Sequence, residues 1–387
     1  MRTLALAAVL SIAASAPAID EAHRRQAETM IDGAIDFLRT QQDETGGWSL
    51  REGRPVFPAI TALVVRGMIL SPEIDARDEH VAKGVDFMLG YAQPDGGIYD
   101  RALASYNTSI CLSTLAVVEA PEAAGAIKPA QDFLRSIQWS NDSADHAETG
   151  TVDEDHPFYG GIGYGSHSRP DNSNLNMMLQ GMHDSGLSSD DPAFQRAVTF
   201  LTRTQMHESV NDMPYAKGST QGGFIYATSP SGEEPGAGES KGEVITETLE
   251  DGTRIERMRA YGSMTYAGFK SYLYADLDRD DPRVELAYDW IRRHYTLDEN
   301  PGVGMQGYYY YLLMFSRALD AWGLPTIEVV TPAGETETRD WANDLIDALA
   351  ARQKPDGSFV NAHDRWMEGD PSLVTAYSLL ALQEAIR

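Results

Sequence analysis

Side chains able to donate protons, accept them or present rings cluster ahead of several apolar stretches. Tyr164, His167, Arg169, Asp171, Asn172 and Asn174 crowd the approach to one; Tyr106-Asn107, Arg259 with Tyr261, the run Tyr308 to Tyr311, and His363 with Arg365 and Trp366 mark four others. Together these types could move a proton, with Tyr or His as base and Arg169 neutralising a substrate carboxylate. They could equally close a hydrogen-bonded lid or stack a sugar on aromatic surfaces. Asp171 just ahead of a helix reads first as an N-cap, and Arg169 reads first as a bridge to a nearby acid. From this group Tyr164, Arg169, Asp171, Tyr261, Arg365 and Trp366 are the expected ligand-binding residues; no catalytic residue is assigned, and no metal or cofactor is expected.

Three other features carry reactive groups. Asp278-Arg279-Asp280-Asp281 concentrates carboxylates, but Pro282 follows directly, and the parallel Ser189-Asp190-Asp191-Pro192 suggests acids that cap a helix and complement its dipole. Asp142, Asp145, Glu148, Asp153, Glu154, Asp155 and His156 place hard oxygen ligands in one loop without the spacing of a calcium loop. Cys111 is the single cysteine, so no internal disulfide forms.

The elements that position these groups are legible from repetition. An apolar pair, then Gln, then Gly and an apolar or aromatic residue recurs: Phe37-Leu38, Gln42, Gly46-Gly47-Trp48; Phe87-Met88, Gln93, Gly96-Gly97-Ile98; Phe133-Leu134, Gln138; Phe200-Leu201, Gln205; Ala348-Leu349, Gln353, Gly357, Phe359. A degenerate copy sets Tyr295 where Gln would stand. Each unit reads as a helix ending near its Gln, with Gly supplying the left-handed exit and the Gln bonding orphan carbonyls or the neighbouring repeat's amide groups. Apolar periodicity predicts an outer series near 21–42, 77–93, 125–138, 191–207, 281–297 and 338–353. A more apolar inner series is predicted near 58–70, 105–119, 172–185, 259–275, 307–321 and 371–386. An insert at about 208–258 carries alternation around Asp251-Gly252, read as a small β-hairpin.

A net charge of −27 disfavours nucleic acid, anionic membranes and polyanionic glycans, and tolerates neutral or cationic ligands. Arg2, the apolar run Leu4 to Ala14 and Ala16-Pro17-Ala18 read as a signal peptide over 1–18, leaving 19–387 as one domain, secreted or periplasmic. No later segment is long and apolar enough for an integral membrane span.

The Gln-to-Gly-aromatic copies and the six-plus-six helix count resemble the prenyltransferase and squalene-oxidase repeat family, the scaffold of triterpene cyclases and protein prenyltransferase β subunits. Gly160 to Tyr164, Arg169-Pro170-Asp171 and Tyr295 to Gly302 resemble segments of bacterial squalene-cyclase-like proteins. The resemblance implies an all-α (α/α)6 toroid of the terpenoid cyclase type carrying the hairpin insert, with inner-helix starts sharing one rim. It also implies what to seek and not find. The cyclase acid pattern is spelled by Asp278 to Asp281 but opens an outer helix, and the prenyltransferase zinc motif fails because Ser109, not Asp, precedes Cys111. The expected function is binding of a small neutral apolar or glycan-like ligand, or of a protein partner, at that rim. The alternative is an enzyme of the same fold: an isoprenoid cyclase or transferase variant, or a toroid-type polysaccharide lyase.

Overall fold

The computed structural model describes residues 19–48, 56–141, 151–165, 168–249 and 251–387. Twelve α-helices alternate between two layers among them. The outer layer is α1 (Glu21–Gln41), α3 (Glu79–Leu89), α5 (Pro121–Ser136), α7 (Pro192–Thr204), α9 (Pro282–Arg293) and α11 (Trp341–Ala350). The inner layer is α2 (Pro58–Ile69), α4 (Ala104–Leu115), α6 (Asn172–Asp184), α8 (Gly262–Tyr274), α10 (Tyr308–Trp322) and α12 (Pro371–Ala385). Helix starts follow the sequence signals. Asp20, Asp78, Asp171, Asp191, Asp281, Asp340 and Asp370 each cap a helix by accepting backbone N–H groups, and Pro occupies the first turn of five helices.

Nearly every residue of the inner helices is buried, because each is walled by two inner neighbours and by the outer layer. Each inner helix packs on the next, and α12 returns to α2, so the six close a ring: an α/α toroid. The ends are stitched as well: Gln353 Nε2 donates to the Met30 carbonyl at 2.9 Å, and Arg24 donates to the Ile386 carbonyl at 2.7 Å.

The repeated Gln does one job in four places. Gln42 donates to the carbonyls of Gly46 and His80, Gln138 to those of Gly160 and Ala193, Gln205 to those of Gly222 and Arg283, and Gln353 to those of Gly357 and Met30, all at 2.8–3.1 Å. One bond closes the turn after its own outer helix, and the other reaches the next outer helix around the ring. Gln93, whose copy has one extra residue, bonds locally among the described residues, to the Tyr91 and Tyr99 carbonyls. Tyr295 substitutes for Gln by donating to Asp344 on α11 at 2.8 Å. The glycines are demanded by the same closeness: Gly160 has φ +81°, and a Cβ there would lie 1.8 Å from the Arg196 carbonyl.

A second repeated bond was not foreseen from sequence. The backbone N–H of the residue following the turn donates to a Thr hydroxyl on the next inner helix: Trp48 to Thr61, Ile98 to Thr108, Phe224 to Thr265 and Phe359 to Thr375.

The expectation of an all-α chain with one hairpin needs correcting, since three two-stranded antiparallel sheets are present among the described residues. The expected hairpin is β3 (Ile245–Thr248) paired with β4 (Arg254–Arg257). The others are β1 (Gln205–His207) with β2 (Thr220–Phe224), and β5 (Thr326–Val330) with β6 (Thr336–Asp340). β1 continues directly from α7, so the segment after Gln205 starts as a strand and not as the helix predicted to 207. The expected signal segment 1–18, His167, and the acids Asp142, Asp145 and Glu148 lie outside the described residues.

Candidate ligand-binding cavity

All six inner helices begin at one end of the toroid, where their first turns enclose a cavity of about 160 Å³. Each helix or its lead-in contributes: Phe57 and Ile60 at α2, Leu103 and Tyr106 at α4, Tyr164 and Ser173 at α6, Tyr261 and Met264 at α8, Gly307 and Tyr310 at α10, and Trp366, Glu368 and Tyr377 at α12. The 208–258 segment adds Tyr226. Eight of the twenty lining residues are aromatic, so the wall is chiefly apolar ring surface. Tyr164 and Trp366, the most exposed of these rings, mark the mouth at 36% and 41% exposure.

Of the six residues expected at the rim, Tyr164, Tyr261 and Trp366 line the cavity, whereas Arg169, Asp171 and Arg365 do not. Arg169 is drawn outward into an ion pair with Glu239 at 2.5 Å and a bond to the Pro230 carbonyl, stacking over Tyr226 at 5.3 Å. It thus clamps the 208–258 segment to the rim. Asp171 is buried as the α6 cap, accepting from the Asn174 backbone and side chain and from Ser173 Oγ at 2.6 Å. It reaches the cavity only through Ser173, whose hydroxyl lies 3.5 Å from both Tyr164 and Tyr226. Arg365 bonds to Gln306 and stacks on Trp366 at 4.6 Å.

One functional candidate was missed. Among the described residues Glu368 is the cavity's only carboxyl, and no Lys, Arg or His joins it in the lining. Its side chain caps α10 from outside the helix: Oε1 accepts from the Tyr310 N–H at 2.8 Å, and Oε2 accepts from Asn361 Nδ2 at 2.7 Å and the Tyr309 N–H at 3.3 Å. Burial outweighs these donors and pushes the carboxyl up to about 7. Nothing in Trp366-Met367-Glu368-Gly369 resembles a motif, so only the fold brings this acid to the α10 start. Burial also pushes the phenols of Tyr106, Tyr164, Tyr226, Tyr261, Tyr310 and Tyr377 upward. These tyrosines therefore offer neutral hydroxyls and rings, an arrangement that does not favour a rim tyrosine as base.

Backbone strain gathers here too. Among the described residues four non-glycine positions adopt positive φ, and three of them, Leu103 (55°), Trp366 (59°) and Met367 (68°), line the cavity. Such residues cost on the order of 1–3 kcal/mol each and concentrate at ligand clamps. Trp366 is accommodated because Gly307 has no side chain; a Cβ there would meet its ring at 2.8 Å.

The remaining reactive groups lie elsewhere. Asp281 caps α9, accepting from the Arg283 N–H at 2.9 Å, and its pairing with the Arg283 side chain at 2.5 Å holds the carboxyl below the usual range. Cys111 is fully buried in the core, where desolvation pushes its thiol upward. The inner-helix C-termini carry a buried ionic cluster: Arg66 pairs with Asp184 at 3.1 Å, Arg317 faces Glu384 at 3.6 Å, and Lys270 donates to Gln180 at 2.5 Å. Asp184, Arg317 and Glu384 also line a second, polar cavity of about 270 Å³ at that end of the ring. No helix among the described residues is long and apolar enough to cross a membrane.

No family model and no curated protein matches the chain. Solved structures do. The type II terpene cyclase MstE from Scytonema, bound to its product merosterolic acid A, aligns with TM-score 0.54 and 13% identity over 95% of this chain and 99% of that one. MstE with its substrate geranylgeranyl dihydroxybenzoate gives 0.53 and 13%, over 94% and 99%. An inactive alpha-1,6-mannanase from Salegentibacter, bound to alpha-1,6-mannotriose, aligns with TM-score 0.54 and 10% identity over 94% and 98%. At such identities the likeness is one of fold, and that fold is the α/α toroid.

Proposed function

We propose that this protein binds a small, largely apolar organic ligand in the aromatic cavity where the inner helices begin. The observation that carries this reading is convergence: side chains from all six repeats build one concave, ring-lined space with few polar groups. Its volume is on the scale of the engineered ~150 Å³ cavity that takes up benzene, so it suits one ring or a short branched chain. Asn107, Ser173, Ser263 and Glu368 are already bonded to protein groups, so they leave little for a sugar, which favours the apolar reading over the glycan one. The Gln and Gly staples support membership of the squalene-cyclase-like repeat proteins, and residues 1–18 support export; N-terminal sequencing of the secreted protein tests the latter.

Calorimetric titration tests the ligand class. We expect p-cresol to bind with one-to-one stoichiometry and mannotriose to give no heat. Mannotriose binding without p-cresol binding would overturn the reading.

A second reading has one observation in its favour. Glu368, with its carboxyl near 7, is partly protonated at neutral pH and faces the cavity, as a general acid must. An enzyme built here would use Glu368, not Asp278 to Asp281. Turnover of a prenylated dihydroxybenzoate by the wild type and its loss in Glu368→Gln would establish it.

A further inference from the structure

We infer that the ligand of this cavity carries a quaternary ammonium group or an equally soft organic cation, held jointly by the aromatic wall and the Glu368 carboxylate. The inference rests on the cavity being the ligand site and adds the ligand's charge.

The lining's charge inventory comes first. Among the described residues it contains one carboxyl, eight aromatic side chains and no cationic side chain. Aromatic ring faces attract cations through their quadrupole, and groups of rings around one buried space are the recurrent means of holding methylated ammonium ions. A lysine-type ammonium would enter poorly, since it keeps its tight hydration shell and needs three acceptors. A trimethylammonium group spreads its charge over methyl surface and asks for none.

Rings at this mouth already hold cations. Lys241 Nζ sits 4.5 Å from the Tyr226 ring centre and Arg169 stands 5.3 Å from it, while Arg365 stacks on Trp366 at 4.6 Å. None of these three cations lines the cavity. Arg169 and Lys241 share Glu239, and Arg365 is exposed, where solvent and salt screen it.

Glu368 supplies the counter-charge. Backbone N–H groups of Tyr309 and Tyr310 and the amide of Asn361 fix its position, so the carboxylate is presented without reorganisation. Burial already penalises the charged form of this acid; a neutral hydrocarbon leaves that penalty in place, whereas a cation compensates it. The chain's net charge of −27 favours the approach of cations over anions at long range.

The test compares choline with its carbon isostere dimethylbutanol, in which a tert-butyl group replaces trimethylammonium at nearly the same size. Titrated calorimetrically into the full chain, choline is expected to bind at least about tenfold more tightly than the alcohol. Glu368→Gln is expected to reduce that preference by about tenfold. Because Glu368 also caps α10, a second variant guards against misfolding: Tyr164→Leu, at the exposed mouth, removes one ring and is expected to lower the preference several-fold. Equal affinity for the two compounds would overturn the cation inference while leaving an apolar ligand site. Binding of neither choline, the alcohol nor p-cresol would overturn both.

Discussion

At Glu368 a single carboxyl links the cavity to the stability of the helix beside it. Its usual value of 4.5 in the unfolded chain rises to about 7 in the fold because burial outweighs its donors. The folded state therefore binds the extra proton between those values, so this contribution is fully present below about pH 4.5 and is lost as pH rises through about 7. The whole shift corresponds to about 3 kcal/mol. In Glu368→Gln the slope from this site vanishes: melting temperatures of wild type and variant should diverge across that window, with the wild type losing ground as pH rises. Parallel curves would show that Glu368 titrates normally. Arg169 and Asp171 illustrate the converse. The sequence reads them first as a bridge to an acid and as an N-cap, and the fold makes both, Arg169 clamping Glu239 and Asp171 capping α6 and steadying Ser173, so that neither lines the cavity. Residue type and position disclosed which groups gather at the rim; that Arg169 turns outward depended on Glu239 and Pro230, more than sixty residues away.

Elements were far more legible than site residues, because each is specified locally and then repeated. The twelve predicted helices correspond to those observed, with ends displaced by a few residues where a Pro or Asp cap overrode periodicity, as at Pro121. The Gln reads from sequence as a cap or a link to the neighbouring repeat; that it does both at once, through carbonyls of its own turn and of the next outer helix, depends on ring geometry that no single repeat contains. The β5–β6 hairpin escaped notice even though Ile327 and Val329 alternate with polar neighbours ahead of a turn at Gly334. At this scale Trp48 is the sharpest probe. It is 1% exposed, donates Nε1–H to the Leu38 carbonyl at 2.7 Å, and its backbone is pinned to Thr61. Trp48→Ala should therefore destabilise the protein by about 3 kcal/mol or more in chemical denaturation; an unshifted midpoint would mean that the turn is held without its aromatic plug.

The whole ring is needed to make the cavity, since every inner helix supplies part of its wall and no pair of repeats encloses it. The two ends of the toroid divide the labour. The C-terminal end carries the paired charges Arg66, Asp184, Arg317 and Glu384 beside a polar cavity of about 270 Å³, whereas the N-terminal end keeps a ring-lined, largely apolar space and stores backbone strain around it. The most direct measurement fills that space and leaves the ring intact. Ala59 lines the cavity on α2, and Ala59→Phe would project a ring into it. Titration of p-cresol into wild type and variant should give one-to-one binding in the first and at least about a tenfold loss in the second, with melting temperatures within about 4 °C of each other. Undiminished binding to a folded Ala59→Phe protein would place the ligand elsewhere and contradict the assignment of this cavity as the functional site.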